Sequence, residues 1–470
     1  MLGKILFSCL FLIGLCEERQ SRLVNLVQGP VRGYKDLEED IYVFYGIPYA
    51  TAPTGPDRFK APLLPPIWTD TFEAIDKEII CPQSNIFKFI GDSKVMQEDC
   101  LIANIYVPKT DELNLPVVVY VHGGAYIMGW GDLFTPKKLA NSKKVIIVTF
   151  NYRLGAHGFL CLGTKDVPGN AGMKDQVALL RWVKQNIKRF GGNPNEITIA
   201  GYSAGSSSVD LLLLSKMTDG LFKRVIPESG ASTAAFKSFF KTVPYEMLNS
   251  VNSMNRTDST FLMSPCVERD LGVERFLEDS PVNILKSGNF KKLPILFGFA
   301  NMEGLFRAQL FDTWKDGMNK KEKVAERIKR FYFGKKVIDN GDILAYIDYF
   351  TDVIFAYPSL RSVKYQVEAG NHNWNGTIVK EKEVSKDLIE MKSLMREVWL
   401  NFMISGIPQA SGMPIWEPVG ADWSPHMSLN RTVQLKGSLL KERSLFWESI
   451  YEQYYQLPLL PLPTSKHIEL

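Results

Sequence analysis

A run of β-formers, Ile197-Thr198-Ile199-Ala200, enters Gly201-Tyr202-Ser203-Ala204-Gly205, and a helical run through Val209 and Leu211 to Leu214 follows. A G-x-S-x-G sequence between a buried strand and a helix commits the backbone to a sharp turn that lifts the serine off the carboxyl end of a sheet. The small residues are needed because side chains there would collide with neighbouring backbone. A free serine hydroxyl is a poor nucleophile at neutral pH. It needs a base to take its proton and donors to hold the oxyanion that develops. The pentapeptide by itself also occurs in ordinary loops; the strand–turn–helix setting gives it meaning.

A second feature points the same way. His122-Gly123-Gly124-Ala125 follows the apolar run Val117-Val118-Val119-Tyr120-Val121, upstream of the serine. Glycines at 123 and 124 let backbone N–H groups approach a substrate carbonyl oxygen, and the N–H of Ala204 completes the expected oxyanion hole. His122 precedes the nucleophile, so it reads as a brace for this loop rather than as the base.

The 470 residues are 45% hydrophobic and 12% aromatic, enough for a large packed core. The net charge is +4 with both signs mixed and no basic block, which argues against nucleic acid as a partner. Lys4 precedes an apolar run from Ile5 to Leu15 and charge resumes at Glu17, the pattern of a signal peptide over residues 1–16. That run is too short to span a bilayer, and no other stretch approaches the required length. Entry to the secretory pathway permits disulfides. Outside the leader stand Cys81, Cys100, Cys161 and Cys266. Cys81 and Cys100 would close a modest loop; Cys161 and Cys266 are either free and buried or paired. No metal-ligand cluster is present. Sequons at Asn255, Asn375 and Asn430 are candidate glycosylation sites. The ending His467-Ile468-Glu469-Leu470 resembles an endoplasmic reticulum retrieval tail, with secretion as the alternative.

Strands are expected at Ile102–Val107, Val117–Val121, Val145–Phe150, Ile197–Ala200 and Pro294–Phe299, several of them continuous apolar runs suited to burial on both faces. Helices are expected at Lys174–Arg189 and Ile389–Phe402, where apolar residues recur every three or four positions. The charged stretch from Phe311 to Phe333 reads as a solvated helix. Alternating strands and helices predict an α/β fold with a mostly parallel sheet, in one domain over residues 17–470.

In this architecture an acid and then a histidine follow the serine along the chain. Glu303 comes just after the strand Leu293–Phe299, where strand ends gather ligand chemistry. With Gly46-Ile47-Pro48-Tyr49-Ala50, Glu98-Asp99-Cys100-Leu101, Asn151-Tyr152-Arg153-Leu154-Gly155, Gly169-Asn170-Ala171-Gly172 and Glu228-Ser229-Gly230 added, the chain resembles the type-B carboxylesterase family over nearly its whole mature length, most of all the odorant- and xenobiotic-degrading esterases of insects. The resemblance implies an α/β-hydrolase fold, Glu303 as triad acid, a Cys81–Cys100 disulfide, an Arg58–Glu98 pair and no cofactor. Juvenile hormone esterases usually carry glutamine before the serine, where this chain has Tyr202.

After Glu303 only His372, His426 and His467 remain, and His372 in Gly370-Asn371-His372 is the expected base. The family sets an aromatic-rich strand before its histidine loop, and Tyr365–Glu368 stands where that strand is expected. Family members are longer by tens of residues, so this chain reads as shortened near 230–242 and 367–385. The expected activity is hydrolysis of small hydrophobic carboxylic esters through an acyl-serine. The alternative is an esterase-like binding protein without a working histidine.

Overall fold

The computed structural model describes residues 19–83, 93–233, 263–310, 323–371, 374–379, 386–430 and 432–454. The strands of its main sheet are β1 (Ser21–Asn25), β2 (Pro30–Lys35), β3 (Ile41–Pro48), β4 (Ile102–Pro108), β5 (Leu115–Val121), β6 (Ile146–Phe150), β7 (Gly192–Tyr202), β8 (Arg224–Glu228), β9 (Ile295–Ala300), β10 (Trp374–Val379), β11 (His426–Leu429) and β12 (Gln434–Lys436). They lie in the order β1-β2-β3-β4-β6-β5-β7-β8-β9-β10-β11-β12, with a short strand at Phe72–Glu73 beside β2. The first strands pair antiparallel, every neighbour from β6 through β11 is parallel, and β12 turns back antiparallel. This is the expected α/β-hydrolase sheet. Each anticipated strand is present, and β7 extends beyond its predicted ends.

Side chains alternate across this sheet with period two. Val117, Val119, Ile197, Ile199, Val225 and Ile295 face one core, shared with helix α1 (Ala171–Asn186) and helix α2 (Ala204–Leu214). Val118, Ala200, Ile226 and Leu296 face a second core, shared with Val398, Phe402 and Met403 of a later helix at Lys386–Ser405. That helix covers its expected span and stops at Gly406, whose φ of +82° is left-handed. Helix α1 starts three residues before its predicted Lys174, because Asn170 takes a left-handed φ of +57° directly before it.

Tyr365–Glu368 corrects the sequence reading. These residues are not a strand but the last turn of helix α3 (Tyr357–Glu368), and the strand is β10, after His372 in the chain rather than before it. Leu360, Val363 and Val367 recur at helical spacing and all reach the core, so the period is that of a helix. Within the Lys-rich stretch, residues 311–322 lie outside the described residues. Lys323–Phe333 is helical as expected, yet not wholly solvated: Phe331 stacks on Phe446 with ring centres 4.0 Å apart.

Among the described residues two disulfides close the fold, Cys81–Cys100 as implied by the resemblance and Cys161–Cys266. The second settles the open alternative in favour of pairing. Its sulfurs pass so near Gly169 that a Cβ there would lie 2.7 Å from each. Beside it, the Asn170 side chain donates to the Cys266 carbonyl (2.7 Å) and accepts from the Cys266 N–H (2.8 Å), and buried Lys174 meets buried Glu268 at 2.6 Å. The start of α1 is thus bound to the segment around Cys266 by covalent, polar and ionic links. Arg58 meets Glu98 at 3.3 Å. The leader, Asn255 and the C-terminal tail lie outside the described residues. Asn375 falls on β10, an interior strand between β9 and β11, rather than on the surface loop its sequon suggests. Asn430 directly follows β11.

Candidate active site

Ser203 sits between β7 and α2 with φ +56° and ψ −119°, a conformation that side chains rarely adopt. The turn is held from both sides. The Ser203 N–H donates to the Glu228 carbonyl at 2.8 Å, and the Ser207 N–H donates to the Ser203 carbonyl at 3.0 Å, opening α2. A Cβ on Gly201 would lie 2.4 Å from the Gly205 carbonyl oxygen, and one on Gly205 would lie 2.0 Å from that of Val121. The two glycines flanking the serine are therefore obligatory, as the motif anticipates. Among the described residues the Ser203 hydroxyl takes part in no hydrogen bond of the fold, and it stands at the N-terminus of α2, where the helix dipole favours negative charge.

The loop after β5 comes against this turn. A Cβ on Gly123 would lie 2.6 Å from the Tyr202 carbonyl oxygen and 3.2 Å from the Ser203 Cβ, so bare backbone meets the serine here. Gly124 has φ +114°, followed by Ala125 at +55° and Tyr126 at +62°. The Ile127 and Met128 N–H groups close a turn on the Gly124 carbonyl at 3.0 and 3.1 Å. Gly123 thus meets the serine turn, with Gly124 next to it in its loop and Ala204 next to the serine. His122 turns away from the serine: its ring stacks on Tyr152 at 4.4 Å, and its Nδ1 pairs with the Gly123 carbonyl at 2.8 Å. Burial lowers its pKa to about 4, so it is a neutral brace.

Gly124→Ala tests the loop. The new Cβ would lie 2.0 Å from the Met128 carbonyl oxygen, on a left-handed backbone. The turn must open, and the expected result is a fall in kcat of about 10²–10³-fold, the scale for losing one oxyanion donor, with KM far less affected. Steady-state hydrolysis of p-nitrophenyl butyrate measures it.

Glu303 begins the turn after β9. Its Oε1 accepts from the Ala300 N–H at 2.8 Å and from the Ser229 hydroxyl. Ser229 is fixed in turn by its own N–H, which donates to the Gly298 carbonyl at 2.8 Å. Since β7, β8 and β9 are parallel neighbours, Ser203, Ser229 and Glu303 all emerge at one edge of the sheet. Glu228, quoted within the Glu228-Ser229-Gly230 motif but given no role in the sequence reading, belongs here too. Its backbone holds Ser203, and burial together with the Glu303 charge raises its carboxyl to about 8. No local pattern in the sequence marks it: its position opposite Tyr202 arises only when β7 and β8 pair.

A carboxyl raised in the folded state binds a proton that the unfolded chain has lost, so between pH 4.5 and about 8 stability falls as pH rises. Glu228→Gln is expected to flatten that decline, giving a melting temperature above the parent's near pH 8 and a smaller difference at pH 4.5. Thermal melts across this range check it.

His372, the expected base, lies outside the described residues. Its neighbour Asn371 is fully buried and donates its side-chain amide to the Leu293 carbonyl at 3.3 Å, just before β9 begins. Trp374 opens β10 opposite Ile295, and Val379 ends it opposite Ala300. His426 opens β11 and pairs its Nδ1 with the Gly437 carbonyl at 2.6 Å, lining a small apolar recess with Phe297 and Trp423. Among the described residues, no group of three or more His, Cys, Asp or Glu could hold a metal ion.

This geometry has close counterparts. The sequence profile of the Carboxylesterase family matches residues 20–238. Juvenile hormone esterase of Heliothis virescens is 34% identical over 438 aligned residues, which span 78% of this chain and 76% of that protein. The chain belongs to the carboxylesterase family. It is a carboxylic ester hydrolase. A carboxylic ester hydrolase of Bombus ignitus is 29% identical over 529 aligned positions, which span 92% of this chain and 95% of that protein. That alignment is longer than this esterase itself, so the Bombus protein carries segments with no counterpart here. The crystal structure of juvenile hormone esterase from Manduca sexta, with OTFP covalently attached, superposes with a TM-score of 0.79 at 27% identity, covering 92% of this esterase and all of that chain.

Proposed function

We propose that this esterase hydrolyses hydrophobic carboxylic esters through an acyl-enzyme on Ser203. The observation that carries this is the held elbow: a serine hydroxyl free of structural bonds, at a helix N-terminus, against two bare glycine residues. Ser203 Oγ attacks the ester carbonyl, and the oxyanion is received by the N–H groups of Gly123, Gly124 and Ala204. The base takes the serine proton and hands it to the departing alcohol, after which water releases the acid. Glu303 is the acid of the triad and His372 the proposed base. Exposed Met302, Leu305 and Phe306, next to Glu303, support an apolar substrate. The two disulfides support passage through an oxidising secretory compartment, with the retrieval tail favouring residence in the endoplasmic reticulum.

A second reading is favoured by one observation. Asn371, bonded directly to His372, is anchored where β9 begins, whereas Ser203 and Glu303 stand where β7 and β9 end. The six residues of β10 advance roughly 16 Å along the sheet. On this reading Ser203 acylates but lacks an imidazole partner, and deacylation is slow. Rapid-mix hydrolysis of p-nitrophenyl butyrate by the parent and His372→Ala separates the two. Sustained turnover that His372→Ala lowers about 10³-fold or more supports the triad. A burst near one product per chain, followed by a slow phase unchanged in His372→Ala, supports the second reading. No acylation of Ser203 by mass spectrometry sinks both.

A further inference from the structure

The face of the sheet turned toward the helix at Lys386–Ser405, hereafter α4, carries a cavity of about 400 Å³ that the ester chemistry does not use. Its floor is apolar sheet: Val118, Ile147, Ala200 and Ile226, one from each of β5, β6, β7 and β8. Its roof is Met395 and Trp399 of α4. Three cations stand around it, Lys138, Lys392 and Arg396. All three are exposed, and among the described residues none has a carboxylate within ion-pair distance. The volume is that of a small-molecule site, with apolar walls and a few charges at the border.

We propose that this cavity binds a medium- to long-chain carboxylate, with its alkyl chain on the sheet floor and its head group between Lys392, Arg396 and Lys138. The assignment follows from charge and shape. An alkyl chain gains by leaving water for the apolar side chains of Val118, Ile147, Ala200 and Ile226. A carboxylate finds three unpaired cations, one of them a guanidinium whose planar fork fits it with two parallel bonds. A cationic head would meet like charge from all three. Glu228 and the Tyr120 phenol also line the cavity; with its carboxyl raised to about 8, Glu228 is protonated near neutral pH and sets no charge against the head group. Carboxylates of this class are also what an ester hydrolase releases, although the site lies on the face of the sheet and not at the edge that holds Ser203.

Calorimetric titration of the full chain with sodium dodecanoate, below its micelle concentration, tests the proposal. One dodecanoate per chain is expected, with dodecylammonium and dodecanol binding at least tenfold more weakly. Lys392→Glu with Arg396→Glu is expected to weaken dodecanoate at least tenfold while leaving ester hydrolysis unchanged. Met395→Trp, which fills the roof, is expected to abolish binding, and a thermal melt matching the parent's shows that the chain is intact. Binding must survive when Ser203 is first blocked by an organophosphate. Loss on blocking would place the ligand at the catalytic edge and overturn the proposal. So would equal affinity for dodecanol with no effect of charge reversal, or no binding at all. If these variants change dimerisation instead, the face belongs to a second copy of the chain and the proposal fails. Acylation of Ser203 is read separately, so failure here is distinguishable from failure of the esterase mechanism.

Discussion

Ser203→Ala is expected to lower kcat/KM for p-nitrophenyl butyrate by about 10⁴-fold or more, the scale on which serine hydrolases lose activity with their nucleophile. On the proposed mechanism the N–H groups of Gly123, Gly124 and Ala204 remain in place in this variant, so what is removed is the covalent route alone. The fold is expected to be indifferent to the change. The Ser203 hydroxyl takes part in no hydrogen bond among the described residues, and the two bonds that hold the turn run through backbone atoms of residue 203. Alanine keeps both. Ser203→Gly should go further and raise the melting temperature, because glycine adopts φ +56°, ψ −119° without the strain that a Cβ imposes. Activity falling while stability holds or rises marks a residue kept for chemistry at the expense of stability. Steady-state assays with thermal melts decide it, and retained turnover in Ser203→Ala would put the nucleophile elsewhere.

Arg153→Ala should strike the fold and the site together. The Arg153 guanidinium is buried against Asp175, itself fully buried, with contacts of 2.6 and 2.8 Å, and its Nη1 donates to the carbonyls of Arg58 and Lys60 at 3.0 and 2.9 Å. Removing it strands a carboxylate and two carbonyls in the interior. The expected cost is about 3–5 kcal/mol, the range for breaking one side of a buried ion pair. Two residues along, the Gly155 N–H donates at 2.7 Å to the Tyr126 carbonyl, in the loop after β5 that meets the Ser203 turn. The surviving folded fraction should therefore also show a reduced kcat. Denaturant melts give the first quantity, and turnover per titrated Ser203 gives the second. A variant with the parent's midpoint would show that water enters to solvate Asp175.

Much of this was legible in the chain because tight backbone leaves a mark in sequence. Gly123, Gly124, Gly201 and Gly205 lie where a Cβ would run into a backbone oxygen: Gly124 and Gly201 keep their own turns tight, while Gly123 and Gly205 mark the contact between two segments some eighty residues apart. Strand β5 and strand β7 were readable because burial on both faces forces a continuous apolar run. What failed to show was β10. Its sequence, Trp374-Asn375-Gly376-Thr377-Ile378-Val379, follows the opening tryptophan with polar and glycine residues and carries a sequon, while the apolar spacing of α3 lies just before it. A weakly patterned strand held by neighbours on both sides needs little propensity of its own. Glu228 went without a role for a related reason: its relation to Ser203 exists only across two paired strands, and no local pattern records it.

The Cys161–Cys266 bond brackets α1, β7, Ser203, α2 and β8 within one covalent ring. A protease that cuts the backbone once anywhere inside that ring releases no fragment. The nicked chain would still run as one band on a non-reducing gel and split into two only after reduction. A limited digest compared on the two gels thus tells a cut inside a disulfide ring from one outside, and fragment sizes after reduction separate this ring from the smaller Cys81–Cys100 ring. An esterase sent into a protease-rich fluid could be cut there and still keep Ser203 tethered to Glu303.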